Sequence, residues 1–376
     1  MTAIADPGGS ARANLPLYDG VNKLKLGTFA TNVSNGMTMS HAPTSFQVTW
    51  EHTLALARQS EAIGLDMVIP IGRWRGFGGT TNFNGQCFET YTWAAGLAQA
   101  TERIMIFATS HVPVIHPIVA AKQAVTIDHI SCGRFGLNIV MGWFTPEMEM
   151  FGAAQREHDD RYRVGEEWLE VIRRLWVESE PFDYDGRFFQ LAGAEAWPKP
   201  VQQPRPVIMN AGSSSAGRDF AARNADISFV PADDPEITGR IARELKQLAR
   251  DTYNRDILVF SGVYVICRDT EREAREALRE ILEHGDTEAA QNVMSVLGIQ
   301  SRSFGEILEK SGADRFVAGF GAPTFMGTPE QVAEQIVRTY DAGVTGLTLA
   351  FLDYAPELAY FDDHVMPLLR QAGLRA

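Results

Sequence analysis

Cysteine is scarce: 376 residues contain three, Cys87, Cys132 and Cys267, far apart and without a CxxC spacing. That excludes a disulfide framework, offers no zinc ribbon or finger, and suits a reducing cytoplasm. No apolar run is long enough to cross a bilayer, and the opening MTAIADPGGSARANLPLYDG lacks the apolar centre of a secretion signal. Residues 1–22 therefore read as a flexible arm, and no membrane attachment is expected. Positive charge also runs short, with 34 Lys plus Arg against 47 Asp plus Glu for a net charge of -13. Clustered cations are what neutralise phosphates, so nucleic acid is not an expected partner. The eight histidines are scattered, with no H-x3-H pair on one helix face, and no metal site is expected. The glycine-rich RGFGGTTNFNG has neither the GxGxxG spacing of a dinucleotide fold nor a following Gly-Lys-Ser/Thr, which excludes both kinds of phosphate loop.

What is present is a globular composition, 45% hydrophobic and 22% charged, in which apolar runs alternate with amphipathic stretches. KLKLGTFA (23–30) reads as a strand, followed by a helix from about Thr44, the expected N-cap, to Ile63. DMVIPI, RIMIFATSHV, RFGLNIVMGW, RPVIMNAG, DISFVP, DILVFSGVYVIC and GLTLAF are the next strand runs, each leading into helix. Continuous apolar strands between helices imply a parallel sheet covered on both faces. Eight such units imply an α/β fold, a closed (β/α)8 TIM barrel with insertions, spanning residues 23–376 as one domain. An open doubly wound sheet is the rival architecture. Two segments exceed the minimal unit: residues 182–204, and residues 285–327, rich in Gly and Ser. The second reads as a mobile insertion that closes over the site.

In a barrel the reacting groups sit at the C-terminal ends of the strands. That rule selects Asn32, Arg73 with RGFGG, Thr109, His111, the stretch from Asn138 to Glu147, AGSSSAG and Asp353. Asn138 stands out because it interrupts the apolar run GLNIVMGW. Strand alternation puts Gly136, Asn138, Val140 and Gly142 on one face and Leu137, Ile139 and Met141 on the other. The branched face packs on helices, and the small face borders a space. An unpaired buried amide would cost roughly 1–3 kcal/mol, so Asn138 needs a partner or a ligand. GSSSAG opens a helix directly after a strand, where N–H groups and hydroxyls hold a phosphate or Ser214 simply caps the helix. Arg161 and Tyr162, a guanidinium beside a phenol, suit the same anion. The rival chemistry is hydrolytic: Gly212 to Ala216 approximates a nucleophile elbow around Ser214, followed by Asp353 and His364 in the order of α/β-hydrolases. Ala216 stands where the second elbow glycine belongs.

Taken together, RGFGG, RIMIFATSHV, AVTIDHISCGRFGLNIVMGW, PEMEMFG, EHDDRYRVGEEWLEVIRRLW, WPKPVQQPRPVIMNAGSSSAGRDFAAR and MGTPEQVAEQIVRTYDAGVTGLTLAF resemble the bacterial luciferase-like family of FMN-dependent monooxygenases. The likeness is nearest to the branch of pyrimidine monooxygenases and dimethylsulfone and alkanesulfonate monooxygenases. RGFGG is similar to the first of these, and EHDDRYR and GSSSAGRD to the sulfone enzymes. The resemblance implies a two-component enzyme: a partner flavin reductase supplies reduced FMN, O2 is co-substrate, and a C–S, C–N or C–halogen bond of a small organic molecule is cleaved. Gly72, Arg73, Asn138 and Glu147 match flavin-contacting positions, and Arg161, Tyr162 and Ser214 match contacts at the phosphate end. Thr109 and Asn138 match the pair that holds O2 at the flavin N5 side in the pyrimidine enzymes, with His111 a further catalytic candidate. His41 and Trp143 are expected on the substrate side. The cysteine, histidine and arginine set of the sulfonate enzymes is not matched, which weighs against desulfonation. The family implies a homodimer or homotetramer. A deazaflavin-dependent reductase on the same barrel and a serine hydrolase are the alternatives.

Overall fold

The computed structural model describes residues 12–153, 156–212, 214–231, 234–300 and 305–376, apart from the side chains of 298–300 and 305–311. In chain order the strands are β1 (Lys25–Phe29), β2 (Met67–Ile69), β3 (Met105–His111) and β4 (Phe135–Val140), then a hairpin of β5 (Phe182–Asp185) and β6 (Gln190–Ala194). After it come β7 (Val207–Asn210), β8 (Ile227–Val230), β9 (Leu258–Cys267), β10 (Thr324–Gly327) and β11 (Gly346–Ala350). Parallel ladders run β1-β2-β3-β4-β7-β8-β9-β11, and β11 pairs back to β1. The β8–β9 and β11–β1 pairings close the ring, so the architecture is the (β/α)8 barrel and not the open sheet. Its eight strands are the eight apolar runs of the sequence. The hairpin and β10, which pairs with the C-terminal half of β9, add strands of only four or five residues.

Side chains alternate between the helix layer and the barrel interior. Phe135, Leu137 and Ile139 of β4 pack outward with Ile106 and Ala108 of β3, in one core with residues of the helices Pro117–Ile130 and His158–Val177. Inward, Met67, Met105, Phe107, Val207, Ile227 and Phe260 belong to a second core. Its filling depends on large residues set against small ones: Met67 pairs with Gly27, Phe107 with Gly136 and Phe260 with Gly346 in register across neighbouring strands. A Cβ on any of these glycines would fall inside van der Waals contact of its partner. Large-against-small alternation is how a ring of this size is closely packed without strain.

Residues 1–11 lie outside the described residues, but residues 12–22 are not a loose arm. Leu15 and Leu17 are buried in the inner core, and Arg12 pairs with Asp226 at 3.0 Å. Asp226 also receives Arg205 at 2.5 Å and the Ile208 amide at 2.8 Å. Burial alone would raise its pKa, but Arg205 and Arg12 hold the carboxyl well below the usual carboxylate range. The polar composition concealed two leucines that cover the apolar lower mouth of the barrel. The first helix spans Trp50–Ala62 with Thr49 as N-cap. Thr44 instead donates to the Leu352 carbonyl at 2.9 Å, tying this loop to the end of β11. The 285–327 insertion carries the helices Thr287–Gln300 and Gly305–Gly319 as well as β10.

Gly136→Ala is expected to cost about 1–3 kcal/mol through overpacking against Phe107. Urea denaturation checks this. Adding Phe107→Leu is expected to recover part of the loss, whereas an unchanged midpoint in the single variant would mean the inner layer is loosely packed.

Candidate active site

One layer above the inner core, the inward side chains become small or polar: Thr109 on β3, Asn138 on β4 and Gly262 on β9. The barrel therefore opens into a cavity of about 270 Å³ bordered by these residues. Asn138 Nδ2 donates to Thr109 Oγ1 at 3.1 Å, and Thr109 Oγ1 donates to the Pro70 carbonyl at 2.9 Å. One amide and one hydroxyl thus fasten β4, β3 and the end of β2 together. Because Thr109 gives its proton to Pro70, it can only accept from Asn138, which fixes which way round the amide lies. Asn138 Oδ1 is left buried at the cavity wall with no protein partner among the described residues.

At the β2 and β3 side of the cavity, Arg73 Nη1 meets Glu147 Oε1 at 3.2 Å in a buried ion pair. Glu147 lies on the short helix Thr145–Met150, and its Oε1 also accepts from the Trp74 amide at 2.6 Å and the Arg75 amide at 3.3 Å. The Arg73 guanidinium lies over the rings of Phe77, Trp143 and Phe144 at 4.6, 5.4 and 5.5 Å. Glu147 Oε2 is 3.7 Å from His111 Nε2. Burial nevertheless pushes His111 down to about 4, with Glu147 pulling the other way, so the imidazole is neutral at neutral pH. Gly72 is the residue this corner requires, because a Cβ there would come to 2.7 Å from His111 Cε1 and 2.9 Å from Thr109 Cγ2.

The rest of the RGFGG loop is tied to the insertion. Asp286 accepts from the Thr81 amide at 2.6 Å and the Thr81 hydroxyl at 2.8 Å, and Asn292 Nδ2 donates to the Phe77 carbonyl at 2.9 Å. Leu297, on the same helix as Asn292, borders the cavity together with Phe320 and Gly321. Loop and insertion therefore form one cover.

Across β3 and β4 from this corner, Arg161 and Tyr162 face the cavity from the start of the helix His158–Val177. Arg161 Nη1 donates to the Gly142 carbonyl at 3.3 Å, and burial draws the Arg161 pKa down. The Tyr162 hydroxyl bonds the side chain of Ser214, whose Oγ accepts from the Gly217 amide at 3.1 Å as N-cap of the helix Ser215–Asn224. Gly212 and Gly217 leave room for that hydroxyl, since a Cβ on either would reach 2.5 or 2.6 Å from it. A buried guanidinium, a phenol and a helix N-terminus converge, the donor set a phosphate requires.

Gly72, Arg73, Thr109, His111, Asn138, Trp143, Arg161 and Tyr162 all border this one cavity, with Glu147 behind Arg73 and Ser214 beside Tyr162. His41 does not join them. It is exposed, its Nε2 bonds the Thr80 hydroxyl at 3.0 Å, and its amide bonds the His284 carbonyl, so its contacts lie outside the cavity. The hydrolase constellation is not assembled either. Asp353 accepts from the Ser45 amide and hydroxyl at 2.8 and 2.7 Å, and His364 packs on the Tyr360 ring with centroids 4.3 Å apart. The ends of β7 and β11 are separated by β8 and β9 around the ring, which keeps Ser214 and Asp353 apart. Two polar residues that border the cavity, Asn210 and His158, were not among the expected site residues. Asn210 ends β7 as Asn138 lies near the end of β4; its Nδ2 donates to the Ile139 carbonyl at 2.8 Å and its Oδ1 accepts from the Gly212 amide at 2.9 Å. The strand-end rule that selected Asn138 applies equally to VIMN. Among the described residues no group of three or more His, Cys, Asp or Glu is placed to hold a metal.

The family model for luciferase-like monooxygenase matches residues 24–346. The FMNH2-dependent dimethylsulfone monooxygenase of Pseudomonas putida is 31% identical over 353 residues, covering 93% of this chain and 96% of that protein. Pyrimidine monooxygenase RutA of Acinetobacter baylyi is 31% identical over 361 residues, covering 92% and 95%. Among solved structures, riboflavin lyase RcaE with modified FMN and riboflavin superposes with a TM-score of 0.83 at 22% identity, covering 94% of this chain and 93% of that one.

The depressed pKa of His111 sets a pH dependence. Between its unfolded value near 6.5 and its folded value of about 4, the unfolded chain binds more protons, so the stabilisation present above pH ~6.5 is lost as pH falls. Denaturation at pH 7 and pH 5 is expected to show His111→Asn losing about 2 kcal/mol less than the wild type over that interval. Equal losses would place His111 in a more hydrated setting.

Proposed function

The chain belongs to the luciferase-like monooxygenase family, and from that premise we propose that it is a two-component, FMNH2-dependent monooxygenase that uses O2 to cleave a C–S, C–N or C–halogen bond of a small organic substrate. The observation that carries this reading is the Asn138–Thr109 pair: a fixed inward amide with an unsatisfied acceptor, between a phosphate-like donor set and a covered aromatic corner.

Bound reduced FMN would supply the electrons that activate O2 and pass one oxygen atom to the substrate. Arg161, Tyr162 and Ser214 are assigned to its phosphate, and Asn138 Oδ1 to a ring N–H. Gly72 leaves the ring room to approach, with Arg73 and Glu147 at its far border. Thr109 and Asn138 are assigned to hold O2 beside the ring, with His111 as a neutral imidazole that can donate or accept a hydrogen bond there without bringing charge to the site. Trp143 joins Leu297 and Phe320 in covering the substrate side. A covered site limits the loss of reducing equivalents as hydrogen peroxide, the task we give to the 285–327 insertion as a moving lid.

Reduction itself is assigned to a separate flavin reductase, in keeping with a relative whose name specifies FMNH2. A homodimer or homotetramer is the expected assembly. No helix among the described residues is long and apolar enough to cross a membrane.

Purified protein mixed with photoreduced FMN under air tests the reading: flavin binding and substrate-dependent oxidation are expected, and absence of both removes it. Asn138→Ala and Thr109→Ala are expected to bind FMN within a few-fold of wild type yet divert electrons to hydrogen peroxide; full coupling in either would remove its role. Arg161→Ala is expected to weaken FMN by about 10- to 100-fold, the worth of a charged hydrogen bond. Fluorescence titration reads that change, and an unaltered affinity would take Arg161 out of the phosphate site.

A further inference from the structure

We propose that the helix Thr287–Gln300 closes over the cavity as a flap turning on two joints, Asp286 and Gly312, and that Asn292 is the positioning residue that latches it shut. The inference rests on the oxygenase reading above and specifies which part of the insertion moves and what holds it down.

The two ends of the insertion are fixed. The Asp286 amide donates to the Met39 carbonyl and the Met39 amide donates to the Val317 carbonyl, both at 2.8 Å, so one residue of the loop after β1 staples both ends. Ser40 Oγ adds a bond to the Ile281 carbonyl at 2.7 Å, and Phe316, Val317 and Ala318 are buried. Inside these ends lie two joints. At the first, Asp286 Oδ1 accepts from the Ala289 amide at 3.0 Å while Oδ2 accepts from Thr81. The carboxylate thus caps the helix and pins its first turn to the loop after β2. At the second, Gly312 interrupts the helix Gly305–Gly319 at φ 61° and ψ 173°, a conformation open essentially to glycine alone. A Cβ on Gly312 would meet nothing within 4 Å, so the bend of the backbone and not crowding calls for glycine here.

Between the joints the hold is light. Among the described side chains of Thr287–Gln300, the buried apolar ones are Ala289, Ala290, Val293 and Leu297. The helix His158–Val177, by contrast, buries Trp168, Leu169, Ile172 and Trp176 on one face. Hydrophobic hold scales with the area buried, and two alanines bury little. A single polar bond is then a large share of what keeps the helix down. Asn292 supplies it from mid-helix, where Nδ2 donates to the Phe77 carbonyl at 2.9 Å. Leu297, further along the same helix, borders the cavity, so release of Asn292 uncovers the wall that Leu297 forms. A closing element needs this low local stability, since it opens and shuts while the fold around it stays intact.

Amide hydrogen exchange of the flavin-free protein, read by mass spectrometry, tests the joints. Residues 288–297 are expected to exchange faster than 281–286 and 313–321. Asn292→Ala, and Asn292→Asp with the same shape but no donor, are expected to speed exchange across 288–297 by about 2- to 10-fold, the worth of one hydrogen bond, and to leave the flanking segments unchanged. No rise in either variant overturns the latch, and an equal rise in all three segments overturns the joints by showing that the insertion opens as a whole. Iodide quenching of bound FMN fluorescence at saturating protein then reads the cover itself: both variants are expected to be quenched more strongly than wild type, and equal quenching overturns the positioning role. Failure of wild type to bind FMN removes the oxygenase reading, whereas exchange in the flavin-free protein decides the joints and the latch separately.

Discussion

A closed ring of eight strands has an interior that must be filled, and the height to which it is filled decides where this protein can do chemistry. Phe107, Met67 and Phe260 fill the lower layer because Gly136, Gly27 and Gly346 stand opposite them. Two residues further along the same strands, Phe107 gives way to Thr109, Gly136 to Asn138 and Phe260 to Gly262. The filling stops there, and the cavity begins. A buried amide at that boundary would be a liability if unpaired, and Thr109 answers for only half of it. The same layer change that opens the pocket thus supplies a fixed, partly unsatisfied polar group at its wall.

Around that boundary two cations reach the cavity in different company. Arg161 arrives beside a phenol and a helix N-terminus, a setting that favours a bound anion. Arg73 arrives with a carboxylate behind it and three aromatic rings around it. One end of the cavity therefore offers the donors a phosphate needs, whereas at the other end the cation is already paired.

Much of this was legible before any coordinates, and for identifiable reasons. Asn138 declared itself by breaking an apolar run, the eight βα units declared the barrel, and the strand-end rule collected Arg73, Thr109, His111 and Asn138 at the cavity wall. What the sequence could not display are contacts between distant segments. The Asp286–Thr81 tie crosses from the insertion to the second strand-end loop, and Arg12 reaches Asp226 across the base of the barrel. Nothing local marks either pairing. The N-terminal segment misled for a related reason: a polar stretch punctuated by Pro and Gly reads as an arm unless the apolar mouth that Leu15 and Leu17 cover is already known. His41 misled because proximity to the first strand end does not ensure that a side chain turns inward, and this one turns to Thr80.

The central claim is that the boundary between packed core and cavity is a flavin site oriented by Asn138. A crystal structure of the protein with FMN tests it most directly. The account predicts the phosphate on Arg161, Tyr162 and Ser214, and Asn138 Oδ1 within hydrogen-bond distance of the ring. A flavin bound elsewhere, or one whose ring leaves Asn138 Oδ1 without a partner, would contradict it.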